Sequence, residues 1–263
     1  MRLAREVSRG LSELARLNPI GRGTREAELE EARDLQSRLL PRTAPHIAGF
    51  DIAFAWQPSS EVSGDYFDVF PLGDGRMALC IADVTGKGLE AAMLMSELRA
   101  AVRALALEAG SPAELCTSVN QTLNNRLAPG KFATMFFGML DGTDGRLAYE
   151  NAGHCLPLLV RGNGSVEFPA SFSGVLGLFS HWLYQNQETQ LRSGDTLLLL
   201  TDGILEAEGR HREEFGYQRL ISLVLDARPH RAEDIGRKIL AAVAKHANTK
   251  LRDDASLIVV RAE

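Results

Sequence analysis

Two periods of apolar residues alternate along the chain. Phe50, Ile52, Phe54 and Trp56 interleave with Asp51, Ala53, Ala55 and Gln57, the two-residue period of a half-buried strand. Strands around Tyr66 to Phe70 and over Met77 to Ala82 flank Gly73-Asp74-Gly75, which predicts a hairpin. Phe132 to Leu140, Arg146 to Ala152, Leu156 to Val160 and Ser165 to Phe168 are strand candidates separated by the turn sequences 141–145 and 162–164, connections short enough to imply antiparallel neighbours. Leu183 to Leu191, Thr196 to Thr201 and Ser256 to Arg261 complete the set, and 169–177 reads as a loop.

Elsewhere the period lengthens to that of a helix. Leu3, Val7, Leu11, Leu14 and Leu17 form a heptad-like stripe that ends at Asn18-Pro19. After a break at Gly21-Arg22-Gly23, a helix is predicted over Glu26 to Leu40, with Leu29, Ala32, Leu35 or Gln36, Leu39 and Leu40 on one face and Pro41 as its stop. Leu89 to Glu108 reads as a long amphipathic helix with Gly110 just past its end. Ser111-Pro112-Ala113-Glu114 opens the next with both capping-box residues, and Tyr217 to Leu225 and Ala232 to Ala247 follow. Hairpins mixed with paired helices indicate an α+β layered domain rather than a parallel sheet.

The 263 residues suffice for one large domain, or one with an N-terminal appendage. A formal net charge of −5 argues against non-specific nucleic-acid binding or a polybasic membrane anchor. Cys80, Cys116 and Cys155 lack metal-ligand spacing and read as packing residues of a reducing cytoplasm. No apolar stretch reaches roughly 18 residues and no signal-peptide core opens the chain, so a cytoplasmic protein without a membrane segment is expected.

The candidate chemistry lies in aspartates at the ends of apolar runs. Asp83 closes Ile81-Ala82-Asp83 before Val84-Thr85-Gly86-Lys87-Gly88, Asp65 sits in Ser63-Gly64-Asp65, Asp202 ends the run from Leu197, and Asp253 with Asp254 precedes Leu257 to Val260. An ionised carboxylate at the end of a buried strand is costly without a cation or hydrogen bonds, so several together argue for a shared positive charge. Oxygen donors alone point to Mg²⁺ or Mn²⁺ rather than zinc.

These pieces resemble, in order from about residue 47 onward, the SpoIIE/RsbU-type branch of the bacterial PP2C-like (PPM) metal-dependent serine/threonine phosphatases. The matching segments are 61–68, 81–88 with Ala91-Ala92, Asn151-Ala152-Gly153-His154 with Pro157, 200–207 and 253–256. The resemblance implies an αββα sandwich of two antiparallel sheets flanked by helices over 46–263, with 1–45 as an N-terminal helical linker. That linker would join an upstream sensor and form a homodimer, or else merely cover the edge of its own domain.

The resemblance also implies a signalling phosphatase with two Mn²⁺ or Mg²⁺ ions. Asp83 would bridge both, the Val84 carbonyl would add an oxygen, Asp202 and Asp253 would hold one, and Asp65 would reach the other directly or through water. A metal-bound hydroxide would then hydrolyse phosphoserine or phosphothreonine without a phosphoenzyme, with Asp83 and Asp202 as the central catalytic carboxylates. The implied substrate is a phosphorylated STAS-domain anti-sigma-factor antagonist in partner switching. The alternative is a regulatory binding module of the same fold, non-catalytic or activated by a partner.

Several positions stay open on sequence alone. Asp254 either replaces or supplements Asp253, or caps or hydrogen-bonds the turn. Lys87, where His is common in this branch, either attracts substrate phosphate or is a solvated turn residue. Thr85 stands where animal-type PP2C enzymes carry a His, which leaves the general acid unassigned. His154, in Gly-His-x-x-Pro, reads as a structural turn more readily than as an acid.

Overall fold

The computed structural model describes residues 20–124, 126–128, 130–169, 173–247 and 251–263. The stripe Leu3 to Leu17 lies outside the described residues. In chain order the elements are helix α1 (Ile20–Leu39), strands β1 (Phe50–Gln57), β2 (Asp65–Gly73) and β3 (Arg76–Val84), and helices α2 (Leu89–Leu105) and α3 (Pro112–Asn124). Strands β4 (Ala133–Asp141), β5 (Arg146–Ala152), β6 (Leu158–Val160), β7 (Val166–Glu167), β8 (Gln187–Gln190) and β9 (Thr196–Leu200) follow. The short helix α4 (Asp202–Leu205), helices α5 (Gly216–Ala227) and α6 (Ala232–Ala247), and strand β10 (Ala255–Ala262) close the chain.

The strands form two five-stranded antiparallel sheets, ordered β1-β10-β9-β6-β7 and β2-β3-β4-β5-β8. Each carries helices on its outer face: α5 and α6 pack on the first, α2 and α3 on the second. This is the αββα sandwich. The unbroken apolar runs of β9 and β10 reflect burial on both faces, which removes the need for polar alternation. Leu197, Leu199, Ile258 and Val260 point into the space between the sheets, whereas Leu198, Leu200, Leu257 and Val259 pack against α5 and α6.

Helix α1 runs through Gly21 and Gly23, earlier than the expected start at Glu26. Glycine in a helix costs only about 1 kcal/mol, so it weakens such a segment without forbidding it. On its face the choice falls on Gln36, which is buried, while Leu35 is exposed. The backbone groups of Ser63 lie beneath that position and require hydrogen-bond partners, which an amide supplies and a leucine does not.

The opening of α3 follows the capping pattern, with Ser111 Oγ accepting the Glu114 N–H at 3.3 Å and Glu114 accepting the Gly110 N–H at 2.8 Å. The expected strand Leu183 to Leu191 shrinks to the four residues of β8, because 183–186 run as a loop in which Leu183 is exposed and only Tyr184 is buried. Helix α4 was not anticipated. Its four residues are too few to leave a period in the sequence.

Candidate active site

One end of the sandwich collects the aspartates. Asp65 opens β2 and Asp83 lies opposite it in β3 as its register partner. Asp202 follows β9, and Asp253 precedes β10, the strand paired with β9. The two sheets are tied together at this end through hydroxyls: Asp65 Oδ2 accepts from Ser256 Oγ at 2.5 Å and from Thr201 Oγ1 at 2.9 Å. Thr201 Oγ1 also accepts the Ser256 N–H at 3.0 Å. One carboxylate from the second sheet is thereby fixed by two residues of the first.

Glycines let the chain close around the cluster. A Cβ on Gly64 would fall 2.9 Å from the Val84 carbonyl oxygen and 3.2 Å from Asp83 Oδ1, so these two oxygens converge on a face that only glycine leaves clear. A Cβ on Gly203 would collide with the Asp254 carbonyl, which lets the start of α4 sit against the Asp253-Asp254 turn.

Burial and mutual repulsion both push these carboxylates toward their protonated forms. Asp83 is raised to about 7, first by burial and then by the charges of Asp202, Asp253 and Asp254. Asp65 is raised well above the usual carboxylate range by burial and by Asp83, against the lowering effect of its Ser256 and Thr201 hydrogen bonds. Asp202 is raised by burial and by Asp253. Two neighbours inside or beside the matching segments were not singled out by the sequence. Glu206, one turn after Asp202, is raised by burial and by Asp202, and the Cys155 thiol is pushed up to about 12 by burial and the surrounding acids.

The residues left open by the sequence each take a definite place. Asp254 is buried and its Oδ1 accepts the Ser59 N–H at 2.6 Å, a turn-fixing role. Lys87 Nζ reaches Asp253 Oδ2 at 3.0 Å and the Arg252 carbonyl at 2.9 Å. Thr85 extends the sheet by a two-way exchange between its hydroxyl and the Phe132 peptide. His154 lies in a turn clamped by Asn151, its Nδ1 2.8 Å from Thr134 Oγ1, and burial lowers it to about 4, so its ring is neutral. Asp68, within β2, is buried beneath a bidentate pairing with Arg103.

The donor set is oxygen-rich and negatively charged, and the Gly64 cradle brings a carbonyl and a carboxylate oxygen to one face. That chemistry fits hard divalent cations. Among the described residues, no group of three or more His, Cys, Asp or Glu side chains is gathered so as to hold a metal ion by itself. Mg²⁺ retains several waters and takes only one or two carboxylates, so it does not require such a group.

Residues 73–263 match the family described as Stage II sporulation protein E (SpoIIE). The chain belongs to the SpoIIE family. Protein IcfG of Synechocystis is 30% identical over 227 residues, which cover 76% of this chain and 36% of IcfG. Phosphoserine phosphatase RsbU of Bacillus subtilis is 27% identical over 239 residues, covering 89% of this chain and 70% of RsbU. This SpoIIE-family chain therefore spans about a third of the one relative and most of the other. The SiaA-PP2C domain of Pseudomonas aeruginosa has the same fold, with a TM-score of 0.83 at 21% identity over 92% of this chain and 99% of that domain.

Proposed function

We propose that this chain is a metal-dependent serine/threonine protein phosphatase, acting on a phosphorylated STAS-type anti-sigma-factor antagonist in bacterial partner switching. The observation that carries the reading is the convergence of Asp65, Asp83, Asp202 and Asp253 from two sheets on one acidic mouth, in a family whose relative RsbU is named a phosphoserine phosphatase. Asp83, the Val84 carbonyl, Asp202 and Asp253 would hold two Mn²⁺ or Mg²⁺ ions, with Asp65 beside them. Bound there, the cations supply Lewis acidity toward the phosphoryl group and acidify a water to act as nucleophile.

The protein's part is positional. Thr201 and Ser256 fix Asp65, and the β2–β3 pairing fixes Asp83 against it. Lys87 stands at the rim, where its ammonium can meet an incoming phosphate once it leaves Asp253. The segment through residue 45, which includes helix α1, would serve as a linker to an upstream sensor and as a homodimer contact. Among the described residues no helix is long and apolar enough to cross a membrane.

A second reading, a binding module or an enzyme held off until a partner arrives, is favoured by the Lys87 ammonium that rests on Asp253 at 3.0 Å. Hydrolysis of a phosphoserine peptide with Mn²⁺ and with EDTA separates the two. Metal-dependent release of phosphate from the peptide, faster than from a sugar phosphate, is the expected result. A saturable metal complex without turnover would favour the second reading.

A further inference from the structure

We propose that Gln36 is a positioning residue for the acidic site: its side-chain amide fixes the Ser63-Gly64-Asp65 segment, tying helix α1 to Asp65 and Asp83. The inference rests on the metal-dependent phosphatase reading and adds a residue to it. Gln36 is 4% exposed. Its Nε2 donates to the Ser63 carbonyl at 2.7 Å and its Oε1 accepts the Ser63 N–H at 2.9 Å, so one amide satisfies both backbone groups of a fully buried residue.

From Ser63 the constraint passes directly into the cluster. Ser63 Oγ accepts the Asp65 N–H at 3.0 Å, and the Gly64 carbonyl accepts the Val84 N–H at 3.4 Å. Gly64 is also the residue against which the Val84 carbonyl and Asp83 Oδ1 converge. Asp65 is gripped from the other side by Thr201 and Ser256, so the segment is held between α1 and the first sheet. The same end of α1 is tied to α2, the helix that follows the Asp83 turn, because Arg99 Nε donates to the Leu39 carbonyl at 2.7 Å and Leu40 is buried in the main core. Removing the amide leaves two buried peptide groups without partners, and the segment relieves this by moving. Gly64 and Asp65 then leave the positions that shape the donor face.

Two variants of the full chain test this. Gln36→Leu preserves bulk and helix but offers neither donor nor acceptor, and Gln36→Glu keeps only an acceptor for the Ser63 N–H. Mn²⁺ affinity is measured by calorimetry, and exchange of the Ser63 and Asp65 amide protons by NMR on the metal-free protein. The expected result for Gln36→Leu is Mn²⁺ binding weaker by about tenfold or more, with faster exchange at those two amides and unchanged exchange in β9 and β10. Gln36→Glu is expected between Gln36→Leu and the parent, and it decides the matter alone if Gln36→Leu does not fold. Affinity within twofold of the parent in a folded variant, with unchanged exchange at Ser63 and Asp65, overturns the role of Gln36. Failure of the parent protein itself to bind Mn²⁺ instead overturns the phosphatase reading beneath it.

Discussion

Lys87 Nζ lies 3.0 Å from Asp253 Oδ2, so an ammonium already rests on one of the carboxylates assigned to a cation. Both side chains are largely exposed, and such a pair is worth about 1 kcal/mol at most. Lys87→Met frees Asp253 and removes a positive charge beside an incoming cation. Both effects act in the same direction, and calorimetry is expected to find Mn²⁺ binding tightened by about 2- to 5-fold, the equivalent of at most ~1 kcal/mol. Inhibition by inorganic phosphate should weaken in the same variant if the ammonium meets the phosphoryl group. Weaker Mn²⁺ binding would assign Lys87 a supporting role instead.

The raised Asp83 gives the metal-free protein a pH dependence of definite sign. Between its usual value of 3.8 and about 7, folded Asp83 retains a proton that the unfolded chain has released. Stability contributed by this group is therefore greatest at low pH and declines as pH rises through that window. Relative to Asp83→Asn, the parent protein should lose thermal stability between pH 5 and pH 8, at about 2–4 °C per kcal/mol. Added Mn²⁺ favours the ionised form, so its affinity should rise over the same range. A flat difference in melting temperature between the two proteins would contradict the assignment.

Arg103 and Asp68 make a separate prediction about stability alone. The Asp68 carboxylate is fully buried and is held by the Arg103 guanidinium at 2.7 and 2.8 Å, with the Tyr66 hydroxyl at 2.9 Å, while that guanidinium also stacks on Phe70. Arg103→Leu strands the carboxylate and should cost about 3 kcal/mol, or roughly 6–12 °C in melting temperature. Arg103→Leu plus Asp68→Leu should recover much of the loss. Equal destabilisation by the single and double variants would show that the pairing is not what matters there.

The Gly64 cradle predicts a site-specific defect. Gly64→Ala places a methyl 2.9 Å from the Val84 carbonyl, tighter than ordinary contact, and that oxygen must give way. Mn²⁺ affinity should fall by at least about tenfold while far-ultraviolet circular dichroism stays unchanged, since the strain falls on strand ends. Normal affinity would mean that the Val84 carbonyl takes no part in binding.

How far the sequence reached depended on the range of the interactions involved. Runs such as Leu197 to Leu200 and Leu257 to Val260 carry their burial in their own composition, and Gly73-Asp74-Gly75 carries its turn, so strands and hairpins were legible. The aspartates stood out because a charge at the end of such a run is conspicuous. The supports of those aspartates did not. Thr201 and Ser256 meet Asp65 across 136 and 191 residues of chain, and Gln36 meets Ser63 across 27, contacts that no local pattern encodes. Cys155 enters the acidic neighbourhood only through packing of the chain, whereas Glu206 is brought there locally, one turn after Asp202.

The central claim is that these aspartates hold divalent cations that drive phosphate-ester hydrolysis. Its most direct test is Mn²⁺-dependent hydrolysis of a phosphoserine peptide by the parent protein, Asp83→Asn and Asp202→Asn, with Mn²⁺ binding measured on all three. The account predicts turnover by the parent that EDTA abolishes, and loss of both binding and turnover, by about a hundredfold or more in rate (~2.7 kcal/mol of barrier), in each variant. Turnover that survives in both variants would contradict it.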